Sequence, residues 1–394
     1  MLLFLLVVSV VLSLMYLYLS RRLIVAGGFE ALLSRRLHLV LLAFVLVQMI
    51  APILGRFMQD TVEPFWFKAL SWLSYLDMGL MAVLFFLVLG RDALLLVGWG
   101  FDKGLSLFLS TTPYLDAARL RFLVTNSNMV VIIGAILLTA AGFISALAPP
   151  KVERVTVSLP GLPTEMEGFR IAQLSDLHLG ATLGQEFLST VVERTMALSP
   201  DVVAITGDVA DGLTFAMREK LAPFQRLRAP SGVFAVTGNH EYYWGHVAWV
   251  EELRSLGFSV LINEGRMIEK NGGRLWLAGV TDFEGGHFDP SHESDPKKAA
   301  EGSEGASVKI LLAHQGRSAF EAEKAGFDLL LVGHTHGGQF VPWNYLVRLQ
   351  QPFVSGMEKL GKLWVYTSRG TGYWGPPLRL GVPSEITLFT LTGE

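Results

Sequence analysis

The sequence predicts a chain in two parts: an α-helical membrane anchor of about four spans in residues 1–150 and an α/β domain in residues 151–394. Three observations lead there. Long uncharged apolar runs crowd the first part. Short β-rich runs alternate with helix-period segments in the second, the pattern of an α/β arrangement with a largely buried sheet. Charge divides in the same way, with 10 basic and 7 acidic residues before position 151 and 22 and 28 after it, and eight of the nine histidines follow residue 150. Only 17% of the chain is charged and 51% is hydrophobic, whereas average globular chains carry roughly a quarter charged residues. The absence of cysteine removes disulfide scaffolds, thiolate zinc sites and Cys nucleophiles. A net charge of −3 gives no electrostatic footprint for nucleic acid.

A bilayer core takes about 20 predominantly apolar residues in a helix. Residues 1–20, 37–55, 69–90 and 127–148 meet that demand, with Asp77 the one formal charge inside them. A fifth candidate, 93–110, carries Asp102 and Lys103 in mid-segment, which argues against it. The first span has no basic leader, so an anchor is the better reading than a cleaved signal peptide. The loops after spans one, two and three hold 4, 2 and 4 Lys or Arg. The positive-inside rule then places loops one and three in the cytoplasm and the domain after span four on the outer face. Asp77 lies near the hydrocarbon edge, where snorkelling suffices, and no span shows the broken, polar-rich pattern of a transport path.

In the second part the β-rich runs are Arg170–Leu174, Val202–Thr206, Val233–Thr237, Leu275–Val280, Lys309–Ala313, Leu329–Val332 and Leu363–Thr367. Helix-like patterns fall at Gln185–Leu198, Ala216–Leu227 and Val247–Leu256. The interval Phe283–Ser307 lacks periodicity and reads as a mobile surface insertion, with His287 and His292 solvated.

Five of the runs lead straight into polar clusters. These are Asp176-Leu-His178, Gly207-Asp208-Val-Ala-Asp211, Gly238-Asn239-His240-Glu241, His314 and Gly333-His334-Thr-His336. Sites in open α/β sheets form outside the carboxyl ends of strands, so the clusters can converge on one crevice. Asp176, His178, Asp208, Asn239, His314, His334 and His336 offer two carboxylates, one amide oxygen and four imidazoles. If one carboxylate bridges, they can hold two divalent ions with four protein contacts each. Oxygen and imidazole without thiolate suit Mn, Zn, Fe, Ni or Co. Two such ions polarise a phosphoryl group and supply hydroxide near neutral pH. Asp201 and Asp211 fit either helix and turn caps or partners of the ligands.

These blocks, in this order, resemble the calcineurin-like metallophosphoesterases, and the likeness extends over roughly residues 151–394. It is closest to the membrane-associated bacterial branch, on Leu174-Ser-Asp-Leu-His-Leu-Gly180, His334-Thr-His-Gly-Gly-Gln339 and Ser368-Arg-Gly-Thr-Gly-Tyr-Trp-Gly-Pro-Pro377. The resemblance implies an α/β/β/α sandwich of two mixed sheets. It implies one metal held by Asp176, His178, Asp208 and His336 and a second by Asp208, Asn239, His314 and His334. A hydroxide bridging the metals would attack phosphorus, with the catalytic His240 protonating the leaving oxygen or stabilising developing charge.

The expected activity is hydrolysis of phosphate mono- or diesters or pyrophosphates, including lipid-linked ones, by a multi-pass protein of the cell membrane. The bilayer is the expected partner. A non-catalytic metal-binding scaffold and a transporter with a regulatory phosphoesterase domain are the competing classes. The segment Arg369–Arg379 either lines the pocket, with an Arg on phosphate, or forms a rigid loop whose aromatics pack on the core. His246, with Tyr242, Tyr243 and Trp244, either walls the metals or starts the next helix.

Overall fold

The computed structural model describes residues 2–26, 33–43, 45–46 and 65–393, and the chain divides into two compact units between Gly142 and Phe143. In the first unit, helix Leu2–Leu19 runs into a π-helical turn, Ser20–Val25, and residues 33–43 are helical. Helices Phe65–Leu109 and Ala117–Leu147 follow. Among the described residues, two stretches are long and apolar enough to cross a membrane: Trp66–Leu109 and Ala117–Leu147, with hydropathies of 2.3 and 2.5. These two helices carry the expected 69–90 and 127–148 spans, and the expected 1–20 span coincides with helix Leu2–Leu19. The 37–55 span lies partly outside the described residues.

The 69–90 span and the rejected 93–110 segment belong to one helix of 45 residues. At 1.5 Å per residue it is about 68 Å long, roughly twice a hydrocarbon core. It continues through Arg91-Asp92 because those charges are met sideways rather than by water. Asp92 accepts from Tyr18 Oη at 2.7 Å and Arg22 Nη2 at 2.8 Å, and Arg91 donates to Asn128 Oδ1 at 2.6 Å. Arg91, Lys103, Arg119 and Arg121 therefore sit on helices, not in the connection between them.

The second unit contains two six-stranded mixed sheets. The strands are β1 (Lys151–Ser158), β2 (Arg170–Leu174), β3 (Val202–Thr206), β4 (Val233–Val236), β5 (Ser259–Val260) and β6 (Glu264–Lys270). They continue with β7 (Gly273–Gly279), β8 (Lys309–Leu312), β9 (Leu329–Val332), β10 (Gly356–Leu360), β11 (Leu363–Thr367) and β12 (Glu385–Thr392). The first sheet runs β1-β12-β2-β3-β4-β5 and the second β10-β11-β9-β8-β7-β6. Parallel centres, β2 to β5 in one sheet and β7, β8, β9 and β11 in the other, account for the continuous Val/Ile/Leu runs.

Alternate side chains of each central strand point to opposite faces. Ile171, Val202, Ala204 and Phe234 from the first sheet meet Leu277, Ile310, Leu312 and Leu331 from the second in one buried core. On the outer face of the first sheet, Leu174, Val203 and Ile205 pack with Leu188, Leu221, Trp249 and Leu253 from the helices. On the outer face of the second, Leu311 and Leu330 pack with Ala319 and Ala322. The layers are thus helix, sheet, sheet, helix, as expected. Both sheets direct the carboxyl ends of β2, β3, β4, β8 and β9 to one place.

The 283–307 insertion is built rather than loose. It forms the turns Gly285–His287 and Pro290–His292 and the short helix Pro296–Ala299. Trp276 Nε1 donates to the Ala299 carbonyl at 2.8 Å, and Asn263 Nδ2 to that of Glu293 at 2.7 Å. Periodicity does not show these anchors because the side chains come from strands and turns distant in the chain, and His292, expected to be solvated, is half-buried against Tyr242.

Candidate metal centre

All seven predicted donors and His240 come together. Asp176 and His178 follow β2, Asp208 follows β3, Asn239 and His240 open the helix Asn239–Tyr243 after β4, His314 follows β8, and His334 and His336 follow β9. Backbone geometry turns the side chains inward. Asp176, His178, Asp208, His334 and His336 all have left-handed φ, between 46° and 71°. Each such non-glycine residue costs about 1–3 kcal/mol and persists where the surroundings over-determine it. Glycine lets the loops close in: a Cβ on Gly333 would lie 2.2 Å from Asp176 Oδ2, and one on Gly238 2.2 Å from Asp208 Oδ1.

The donors form two adjoining nests that meet at Asp208. In the first, His336 Nε2 lies 3.1 Å from His178 Nε2 and 3.5 Å from Asp176 Oδ1, and His178 Nε2 lies 3.7 Å from Asp208 Oδ2. In the second, His314 Nε2 lies 3.1 Å from Asp208 Oδ2, 3.1 Å from Asn239 Oδ1 and 3.2 Å from His334 Nδ1. Ligands about 2.1 Å from a common ion stand ~3.0–3.4 Å apart, so these separations suit ions in both nests.

Electrostatics point the same way. Burial raises the Asp176 carboxyl, whereas Asp208 stays well below the usual carboxylate range because the His314 and His240 charges outweigh its own burial. Two carboxylates sealed so close together call for positive charge between them. Burial also pushes His334 down to about 3 and His336 well below the imidazole range, leaving neutral rings with lone pairs to share. The donor set therefore fits divalent cations.

Residues around the nests hold them in place. His314 Nδ1 is 2.7 Å from the Thr206 carbonyl, which orients the ring. Asp211 Oδ1 faces Nδ1 of His178 at 3.1 Å and Nδ1 of His240 at 2.5 Å, so Asp211 is a partner of the site rather than a cap. Asp201 instead accepts from Arg170 N and Lys270 Nζ, away from the nests. Burial opposes charge on His240, yet the Asp208 and Asp211 carboxylates prevail and raise it to about 9. His240 is a buried imidazole beside the nests, its Nε2 3.9 Å from Asp208 Oδ2.

Two supports carried no role in the sequence reading. Glu241 accepts the backbone N–H groups of Gly238, Asp208 and Val209 at 2.7, 3.0 and 2.8 Å, tying two ligand loops together. Its place in the Gly-Asn-His-Glu block was the available signal. Asp282, fully buried, accepts from both Gln315 Nε2 and Glu284 N next to His314, and burial raises it to about 6.

The Arg369–Arg379 segment is the rigid loop, not a phosphate arm. Arg379 is buried and donates to the carbonyls of His336, Arg369 and Gly372 and to His336 Nδ1. Arg369 pairs with Glu385 and Glu153. Gln339 clamps the loop through Trp374 N and the carbonyls of Trp374 and Pro376. Tyr373 is buried, whereas Trp374 is half exposed with its ring 5.8 Å from His240. Tyr243 and Phe288, also about half exposed, continue this aromatic rim.

The calcineurin-like phosphoesterase family model matches residues 169–338, which hold every donor described above. A zebrafish (Danio rerio) transmembrane protein with metallophosphoesterase domain is 35% identical over 343 residues, covering 85% of this chain and 76% of the relative. A bovine (Bos taurus) protein of the same description is 40% identical, covering 64% of this chain and 60% of the relative. An uncharacterized metallophosphoesterase of Campylobacter jejuni is 35% identical, with 67% and 69% covered. The chain thus spans between three-fifths and three-quarters of these relatives. Strand-end donors, sheet order and sequence relationship agree: this chain belongs to the calcineurin-like metallophosphoesterase family.

Proposed function

We propose that this chain is a membrane-anchored hydrolase of phosphate esters or pyrophosphates that works with two divalent ions. One observation carries the reading: seven donors from five separate strand ends fill two nests sharing Asp208. Asp176, His178, Asp208 and His336 would hold one ion, and Asp208, Asn239, His314 and His334 the other. When bound, the ions supply Lewis-acid activation of the phosphoryl group and acidify water.

The protein's own residues account for the rest. Water gives up a proton to solvent and attacks phosphorus, the bond from phosphorus to the ester oxygen breaks, His240 gives that oxygen its proton, and solvent reprotonates His240. The placement of His240 beside both nests, with Nδ1 on Asp211 and Nε2 toward Asp208, supports this role. Asp211 orients the ring. The exposed aromatic rim and the long apolar helices favour a substrate with an apolar, lipid-linked organic part. With four spans, the charges flanking the apolar stretches favour an outward-facing domain, and a reporter fused at the C terminus distinguishes the two faces.

The test of activity uses the purified full chain with p-nitrophenyl phosphate and its bis-ester. Turnover should require an added divalent metal and vanish with chelator and in Asp208→Ala. Activity that survives both overturns the proposal.

A further inference from the structure

A second cluster of metal-ligating side chains lies outside the seven donors. One nitrogen of His246, one of His292 and a carboxylate oxygen of Asp289 all fall within 4.8 Å of one another. We infer that His246, Asp289 and His292 form a third divalent-cation site, of zinc type, that fastens the 283–307 insertion to the start of the helix His246–Ser255, the element that follows Asn239 and His240 in the chain.

The cluster is assembled from two distant segments. His246 opens the helix His246–Ser255, whereas Asp289 and His292 flank and end the turn Pro290–His292 in the insertion. His246 Nε2 is 3.3 Å from Asp289 Oδ2, close to the ~3.4 Å edge expected of two ligands on one zinc. The His246 and His292 rings are 4.7 Å apart. The two Asp289 oxygens divide their work: Oδ1 accepts from Ser291 N at 2.9 Å and Ser291 Oγ at 2.7 Å, leaving Oδ2 toward the imidazoles. His292 is held by Tyr242 Oη at 2.8 Å on Nδ1 and, at its carbonyl, by Thr281 Oγ1 at 2.8 Å. Such outer contacts orient a ligand before the ion arrives.

The chemistry fits as well as the placement. Two imidazoles and one carboxylate with a fourth position left to water make a three-protein-ligand zinc site. Burial and the neighbouring His246 hold His292 below its ordinary range. All three residues are only partly buried, which gives an ion a way in from solvent. Tyr242 stacks on His246 with centroids 4.9 Å apart and belongs to the helix Asn239–Tyr243. An ion here would therefore pin the element that positions His240.

The experiment uses the full chain in detergent, stripped with chelator, dialysed against Zn²⁺ and counted by plasma mass spectrometry. Wild type should bind one more ion per chain than His292→Gln or the double variant His246→Ala/Asp289→Asn. Adding His292→Gln to Asp208→Ala should remove one further ion, a difference that holds however many ions the Asp208 nests keep and so is independent of the dinuclear reading. Zn²⁺ should also slow protease cleavage within 283–307 in wild type but not in His292→Gln. Equal zinc counts and equal protection in wild type and both cluster variants overturn the inference and leave a hydrogen-bonded array.

Discussion

The dinuclear nests and the His246–Asp289–His292 cluster use the same side-chain chemistry on opposite kinds of scaffold. The nests sit at the carboxyl ends of buried parallel strands, and five of their seven donors are held in left-handed backbone by the sheets behind them. The cluster stands on a helix start and a loop turn, and none of its three residues has positive φ. It is half-buried, whereas in the nests all donors but His334 are buried. The difference teaches where rigidity comes from. A sheet fixes donors against strain, whereas a loop cluster depends on side-chain contacts such as Tyr242 with His292, and would gain more order from an ion.

The contrast breaks first at Asp208. Asp208→Ala should lower kcat by at least ~10³-fold, the scale of lost electrostatic stabilisation in a dry site, as measured with p-nitrophenyl phosphate at saturating metal. His240→Asn should cost about 10²–10⁴-fold in kcat while the bound metal count stays at the wild-type value, because a proton donor and not a ligand is removed. An equal loss of metal would make His240 a ligand instead.

A smaller effect tests the partners of the nests. Glu241→Gln keeps the shape but weakens three backbone contacts, and should lower metal affinity about 10–100-fold by competition with a fluorescent chelator. For Asp211→Asn the readout is a pH profile. The Asp208 and Asp211 carboxylates raise His240, so its proton is held at low pH and lost as pH rises. With Asp208 engaged by metal, Asp211 is the carboxylate left to hold that proton, and the wild-type kcat/KM should fall on the alkaline side above the ordinary imidazole value. Removing the Asp211 charge should move that limb toward the ordinary imidazole value near 6.5. An unmoved limb would assign the alkaline fall to another group.

The gentlest effect belongs to the loop cluster. His292→Gln in the chelator-stripped protein removes one half-buried imidazole and should lower Tm by about 2–4 °C, the response of a domain this size to ~1 kcal/mol. Calorimetry of both forms checks it.

Local signals explain what was legible in the sequence. β2, β3 and β9 are apolar runs bounded by polar residues, so their limits and the donors after them could be read in place. Donor convergence was legible because strand ends in such folds share a crevice. What depended on distant pairing was not. β1 and β12 join in parallel across the whole domain, Lys151 opposite Glu385, and β1 interleaves charged with apolar residues instead of forming a continuous apolar run. The fate of Arg379 turned on carbonyls that only the folded loop offers. Arg91 and Asp92 read as a helix end until Arg22, Tyr18 and Asn128 proved to be their partners. His246 and His292 lie 46 positions apart, and no periodicity links them.

The central claim is that a single aspartate joins two cation nests. Its most direct test is the metal content of correctly folded Asp208→Ala, with circular dichroism matched to wild type. The account predicts a loss of two ions per chain relative to wild type, whatever the cluster at His246 holds. A loss of one ion or none would contradict it.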